Sequence, residues 1–311
     1  MNSFKDTFKN MSSWVQLLFL VIFIFSGFSI AIFLMGLLAV FFAPSGTNYM
    51  EALLIATSSI KYLWTAQFMT QVVVFLMPAI LCAWLFNQNT ASYLKINKHP
   101  KANLTVMSII SIITIQPLIS FTSYYNSKMK LPDFMSGLEN WMQLQEKSNQ
   151  AVIEQMLNQP SVIALIINLF IIAIMAGLVE EFLFRGVLQQ ILNRITGNYH
   201  IAVWIAAIIF SAIHIQFYGF IPRLLLGALL GYLFVWTGNL WVPVIVHALN
   251  NAMSILLFRL YYGTPEYDKL ENLGGSDFWW MAIVSMVLTG FIFSYLHRQY
   301  TLKMFNNDNF G

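Results

Sequence analysis

The chain has 311 residues, of which 58% are hydrophobic and only 9% charged. Soluble domains carry about 25% charged residues, so this composition excludes a soluble enzyme and indicates an integral, multi-pass membrane protein. The net charge of +3, with no dense Lys/Arg cluster, argues against nucleic acid as a partner, and the single cysteine, Cys82, excludes an intramolecular disulfide.

A helix needs about 20 largely apolar residues to cross a bilayer. On that rule the sequence holds eight spans, near residues 15–42, 63–86, 104–125, 161–179, 201–217, 220–236, 240–260 and 278–296. The first apolar run is too long for a signal-peptide core and reads as a spanning helix. The fifth and sixth spans are short and flank Gly219 and Pro222, a pattern that also suits a re-entrant pair. The fold class expected is therefore all-α: a polytopic helix bundle of about eight transmembrane helices. Residues 1–311 form one membrane-embedded domain, with the motif-bearing half at about 161–260.

Pro78, Pro117 and Pro243 fall inside spans and are expected to kink them. Gly227 and Gly231 form a G-x-x-x-G on the sixth span, the spacing that lets helices approach closely. Between the third and fourth spans, Phe134, Leu138, Trp141, Met142, Ile153, Met156 and Leu157 recur at roughly helical spacing. They predict an amphipathic helix, either lying on the membrane surface or capping the bundle. The acidic stretch 262–277, with Gly274-Gly275, reads as a solvated connection.

Loop charges set orientation. An inside amino terminus gathers Lys5, Lys9, Lys95, Lys98, Lys101, Arg194, Arg298 and Lys303 on the cytoplasmic side. Lys61, Lys128, Lys130, Lys147, Arg223, Arg259 and Lys269 then fall on the other side, diluted by acids. Both termini are expected in the cytoplasm, and a bacterial inner (plasma) membrane is the expected location.

Ionisable side chains at membrane depth are costly and are kept where they pair or do chemistry. Glu181 and Arg185 are four apart on one helical face, acid first, the favourable order for an ion pair. Glu180 is turned about 100° from Glu181, so it is left over. Of the five histidines, His99, His200 and His297 sit at interfacial positions, whereas His214 and His247 lie inside apolar sequence. His247 and Asn251 share a helical face. Alone, each histidine would be a buried imidazole bonded to a neighbouring carbonyl. Two histidines, an unpaired glutamate and an asparagine on successive helices satisfy one another better in one shared site. A desolvated glutamate near a neutral histidine can take a proton from water. A second histidine and an amide can then donate to the oxyanion formed on an amide carbonyl. The same residue types also suit a catalytic zinc, with Glu180, His214 and His247 as ligands, although H-E-x-x-H is absent.

Glu180-Glu181-Phe182-Leu183-Phe184-Arg185 fits E-E-x-x-x-R, Phe210–His214 fits F-x-x-x-H, and His247–Asn251 fits H-x-x-x-N. In this order on successive membrane helices they resemble the CPBP or Abi family of CAAX- and bacteriocin-processing intramembrane endopeptidases, relatives of the type II CAAX prenyl endopeptidase. The resemblance covers roughly residues 179–251. It implies a polar cavity opening towards the cytoplasm, in which Glu180 and His214 activate water while His247 and Asn251 bind the oxyanion. Glu181 and Arg185 would hold the helix end, supported by Phe210. It further implies a peptide or membrane-associated protein substrate, prenylated or not, and a glutamate-type mechanism that needs no cofactor, beside an older zinc-dependent reading. The alternative is a non-catalytic membrane peptide-binding or immunity protein. A proton-relaying transporter ranks third, because the two halves show no matching interrupted helices.

Overall fold

In an apolar solvent backbone groups have no water to bond, so spanning segments must close their own hydrogen bonds. The computed structural model, which describes residues 8–271, 273, 275 and 277–308, meets that demand with helices throughout. Lys5 and Gly274, both named above, lie outside the described residues. In chain order the helices are α1 (Ser13–Phe42), α2 (Tyr49–Thr57), α3 (Ile60–Phe86), α4 (Ala102–Asn126), α5 (Ser136–Leu157), α6 (Val162–Thr196), α7 (Tyr199–Ala212), α8 (Phe220–Thr237), α9 (Trp241–Tyr261), α10 (Pro265–Glu271) and α11 (Trp279–Asp308).

Polar residues mark several starts. The side chains of Ser12, Asn48, Ser161 and Asn198 accept from backbone N–H groups in the first turns of α1, α2, α6 and α7, the bonds that an N-cap supplies. Among the described residues 7 helices are long and apolar enough to cross a membrane: α1, α3, α4, α6, α8, α9 and α11. The remaining predicted span, the fifth, is α7, apolar but of 14 residues. At about 1.5 Å per residue it falls short of a roughly 30 Å hydrocarbon core. The turn that follows it, residues 213–219, lines a cavity, the setting in which non-helical backbone is tolerated at depth. Large apolar side chains such as Phe25, Phe33 and Phe291 face outward, as a lipid-facing belt requires.

The prolines act differently from one another. Pro78 follows a widened turn at Gln71–Leu76, and Pro117 follows a break in α4 at Ile115. Pro243, by contrast, sits in the first turn of α9, where its missing N–H has no intrahelical partner, so the expected kink is absent. The G-x-x-x-G does what its spacing implied: a Cβ at Gly227 would stand 3.2 Å from the Ala207 Cα of α7.

α5 forms over nearly the predicted stretch and caps the bundle. Met156 is buried, Trp141 packs on Phe217, and Gln155 Nε2 donates to the Ser58 carbonyl at 3.0 Å. Nor is 262–277 only a solvated connection. It contains α10, and Tyr262 and Tyr267 pack with Phe258 of α9 in an aromatic cluster.

Candidate active site

Two polar systems start from adjacent residues of α6. The first is buried and bonded across helices, although Glu181 Oε2, Arg185 Nε and Gln189 Oε1 find no partner among the described residues. Glu181, Arg185 and Gln189 follow at intervals of four along one face of α6, all buried. Arg185 Nη1 donates to Glu181 Oε1 at 2.7 Å, and its Nη2 donates to the Gly227 carbonyl of α8 at 2.7 Å. Gln189 Nε2 donates to the Gly231 carbonyl at 3.1 Å. The glycine pair thus serves twice, bringing the helices together and presenting carbonyls to side chains from α6. Phe210 lies under the Arg185 guanidinium, 4.9 Å from ring centroid to Cζ, and its edge contacts both His214 and His247. That explains the aromatic four residues before His214: one ring supports the cation and both imidazoles.

Glu181 is not only the partner of Arg185. His247 Nδ1 lies 2.8 Å from Glu181 Oε1, and a carboxylate only accepts, so Nδ1 carries the hydrogen. This contact spans 66 positions of sequence, and neither helical spacing nor charge order announces it. α9 comes this close because Gly177 has no side chain; a Cβ there would stand 2.8 Å from the Ala248 nitrogen.

The second system is open. Glu180 lies 3.9 Å from His247 Nε2 through Oε2, and its side chain is 14% exposed against 0% for Glu181. Glu180, His214, His247 and Asn251 all line one cavity of about 340 Å³, together with Phe210 and Arg223. His214 Nδ1 is 2.8 Å from the Phe210 carbonyl, so Nδ1–H donates there and the neutral ring keeps Nε2 as an acceptor. Asn251 Nδ2 donates to the Ile172 carbonyl at 3.2 Å, which leaves its second amide hydrogen. Ile172 belongs to a widened turn, Leu169–Met175, and a second one, Phe184–Leu188, follows the glutamates. Such turns recur at functional sites.

Four contributors went unread in the sequence: Arg223, Asn126, Gln116 and Asn250. Arg223, counted there only as a loop charge, lines the cavity and donates through Nη2 to Gln216 Oε1 at 2.5 Å, tying down the turn after His214. In that turn Ile215 takes φ 52°, strained for a β-branched residue. Asn126 of α4 clamps the far side, donating to the Phe217 carbonyl at 2.9 Å and accepting from the Ile221 N–H at 2.8 Å. Gln116 Nε2 donates to Asn250 Oδ1 at 3.0 Å, and Asn250 Nδ2 donates to Asn251 Oδ1 at 3.3 Å. Their shared signal is an uncharged amide or a single cation in apolar sequence.

A larger cavity of about 930 Å³ also reaches Glu180, His214 and Asn251, and runs out beneath α5 to Tyr262 and Tyr267. Its mouth is at the α5 end of the bundle. Lys95, Arg194 and Lys303 share a different cavity at the opposite end. Cytoplasmic termini and a cytoplasmic opening, both expected above, therefore exclude each other on this fold. The zinc alternative gains no support from the donor set either, since among the described residues no three His, Cys, Asp or Glu side chains converge as a metal-holding group.

Residues 162–253, the stretch from the start of α6 into α9, match the family model described as type II CAAX prenyl endopeptidase Rce1-like. Over this stretch the chain is similar to that family. Two relatives align with the chain. The uncharacterized protein YpbD of Bacillus subtilis is 35% identical over 96 residues, 30% of this chain and 46% of its own. The membrane-embedded CAAX protease MroQ of Staphylococcus aureus is 35% identical over 100 residues, 30% of this chain and 40% of its own. The chain spans less than half the length of these relatives. No solved structure matches. Glu180, His214, His247 and Asn251 all fall inside the matched stretch.

Proposed function

We propose that the protein is an intramembrane endopeptidase that hydrolyses a peptide bond in a membrane-associated protein or peptide. The observation that carries this reading is the convergence of Glu180, His214, His247 and Asn251 on one cavity, while the neighbouring Glu181 is buried and its Oε1 is taken by Arg185 and His247. Glu180 and the free Nε2 of His214 hold a water. Glu180 takes its proton as the oxygen attacks the carbonyl carbon. The Asn251 amide donates to the oxyanion; His247 joins it through Nε2 only as the imidazolium, since Nδ1–H already faces Glu181. Glu180 then delivers the proton to the amide nitrogen, the C–N bond breaks, and a carboxylate-bearing fragment and an amine leave. No step requires a metal, and no covalent intermediate forms.

The positive-inside rule places the termini in the cytoplasm, so the mouth faces the other side of what we take to be a bacterial plasma membrane. Single cysteines introduced at Asn149 and Asn97 of a Cys82→Ala protein test this. Impermeant thiol reagent on intact cells should label the first and spare the second; the reverse pattern inverts the assignment.

The activity test uses purified protein and quenched peptides, some prenylated at a carboxy-terminal cysteine, with and without a strong zinc chelator. Cleavage that survives chelator and vanishes in Glu180→Gln is the expected result and would also name the peptide class. Cleavage lost to chelator and restored by zinc would reassign Glu180, His214 and His247 as ligands. Full activity in Glu180→Gln would overturn the site.

A further inference from the structure

The opposite end of the bundle carries a second cavity that the peptidase reading does not use. It encloses about 600 Å³ where the loop after α3 meets the ends of α6, α8 and α11. Three cations line it, Lys95, Arg194 and Lys303, and no Asp or Glu is among its lining residues. Lys95 reaches it from an unusual backbone: φ is 57°, the Leu240 N–H bonds its carbonyl at 3.2 Å, and Nζ sits 4.7 Å above the Phe234 ring. Burial, and then the charge of Lys303, hold the Lys95 ammonium below the ordinary lysine range. Two like charges are thus held together with no carboxylate among the lining residues, although self-repulsion and desolvation both disfavour it.

One neutral group adds to this. Trp236 lines the cavity, is only 8% exposed, and has an indole N–H with no acceptor among the described residues. An unpaired buried donor is unfavourable, so a ligand that accepts from it recovers that cost. Arg194 is braced for the same purpose: Nη2 donates to Gln16 Oε1 at 2.8 Å and to the Tyr93 hydroxyl at 3.1 Å, which aims the guanidinium. The cavity's rim is apolar, with Met304 in its lining and Leu302 and Phe305 exposed beside it on α11. Basic pockets between membrane helices at the cytoplasmic face take phosphorylated headgroups.

We propose that this cavity is a binding site for a phosphate group, held by Lys95, Arg194, Lys303 and the Trp236 N–H, and that it is separate from the peptidase site. Arg194 belongs to α6, so occupancy fastens the cytoplasmic end of the helix that carries the glutamates. Two sources share this chemistry: the headgroup of an anionic lipid, and inorganic phosphate in solution.

The test measures thermal unfolding of the full-length protein in neutral detergent, titrated with phosphatidylglycerol, phosphatidylcholine or inorganic phosphate. Lys303→Gln and the Lys95→Gln/Lys303→Gln pair are run beside it. Phosphatidylglycerol should stabilise the wild type far more than phosphatidylcholine at equal concentration. The double variant should bind it roughly 30-fold more weakly, the effect of about two surface charges, with unligated stability equal to or above wild type because a repulsion is gone. Stabilisation by inorganic phosphate alone, lost in the same variants, would confirm the site and assign it to the free anion. Equal stabilisation of wild type and both variants by phosphatidylglycerol, or none of either, would overturn the proposal. Peptide cleavage is not the readout, so failure here leaves the peptidase reading untouched.

Discussion

Glu180 and Glu181 are adjacent on one helix, yet they belong to opposite kinds of region. Around Glu181 the groups interlock: Arg185 and His247 both reach Oε1, and Arg185 and Gln189 lock onto the carbonyls of Gly227 and Gly231. Around Glu180 the chain leaves a cavity, with a histidine nitrogen and an amide hydrogen uncommitted. A buried charge that is paired and hydrogen-bonded builds structure, whereas one kept partly open retains chemistry. A single step along a helix, about 100°, separates the two.

If that contrast is right, the neighbours must fail differently. The largest effect is expected from Arg185→Leu, which strands Glu181 in the interior; removing one partner of a buried pair costs about 3–5 kcal/mol. Folded yield and thermal stability should collapse, and activity with them. An Arg185→Leu protein as stable as wild type would mean that the bonded region holds nothing together. Next comes Glu180→Gln, isosteric and unable to act as a base. Turnover should fall by about 10²–10⁴ while the melting temperature stays at the wild-type value. A drop in stability matching that of Arg185→Leu would erase the distinction between the two carboxylates.

How much of this was legible beforehand follows from range. The Glu181–Arg185 pair lies four residues apart, and spacing alone reveals it. The spans were readable because each is a local run, and the family resemblance rests on three short motifs whose order survives in one dimension. The contact between Glu181 and His247 depends on how α6 and α9 cross, which is set by Gly177 against Ala248, a fact of packing. Arg223 was hidden for a similar reason: it opens a span and looks like a loop cation until the turn after α7 folds back onto it. Which end of the bundle the cavity faces was not legible, because motifs name residues but not the end they face. The structure puts the mouth at the α5 end, away from Lys95, Arg194 and Lys303, so cytoplasmic termini and a cytoplasmic mouth cannot both hold.

Gly177→Ala probes the crossing. A methyl group there meets backbone at 2.8 Å, which no rotamer relieves, so α9 must move. Overpacking of this kind costs about 1–3 kcal/mol, and because His247 rides on α9, turnover should fall by more than the stability loss explains. Measured kcat and unfolding on the same preparation would separate the two. A variant with wild-type turnover would show that the approach of α9 at Gly177 is not what sets His247.

The smallest effect concerns the far wall. The break in α4 before Pro117 turns the Leu118 N–H to the Ile115 carbonyl at 3.0 Å and leaves the Thr114 carbonyl without its helical donor, and Ser285 of α11 fills the gap. Its Oγ donates to the Thr114 carbonyl at 2.6 Å and accepts from the Leu118 N–H at 3.3 Å. Ser285→Ala removes both bonds, but the Thr114–Thr289 hydroxyl contact at 3.0 Å still joins the helices, so the loss should be near 1 kcal/mol. If α4 is only a wall, turnover stays unchanged. The break, however, is also what points Gln116 at Asn250, and Asn250 bonds Asn251. A several-fold fall in kcat with little loss of stability would therefore extend the open region through that amide chain to α4, and make the Pro117 break a positioning element for the oxyanion donor.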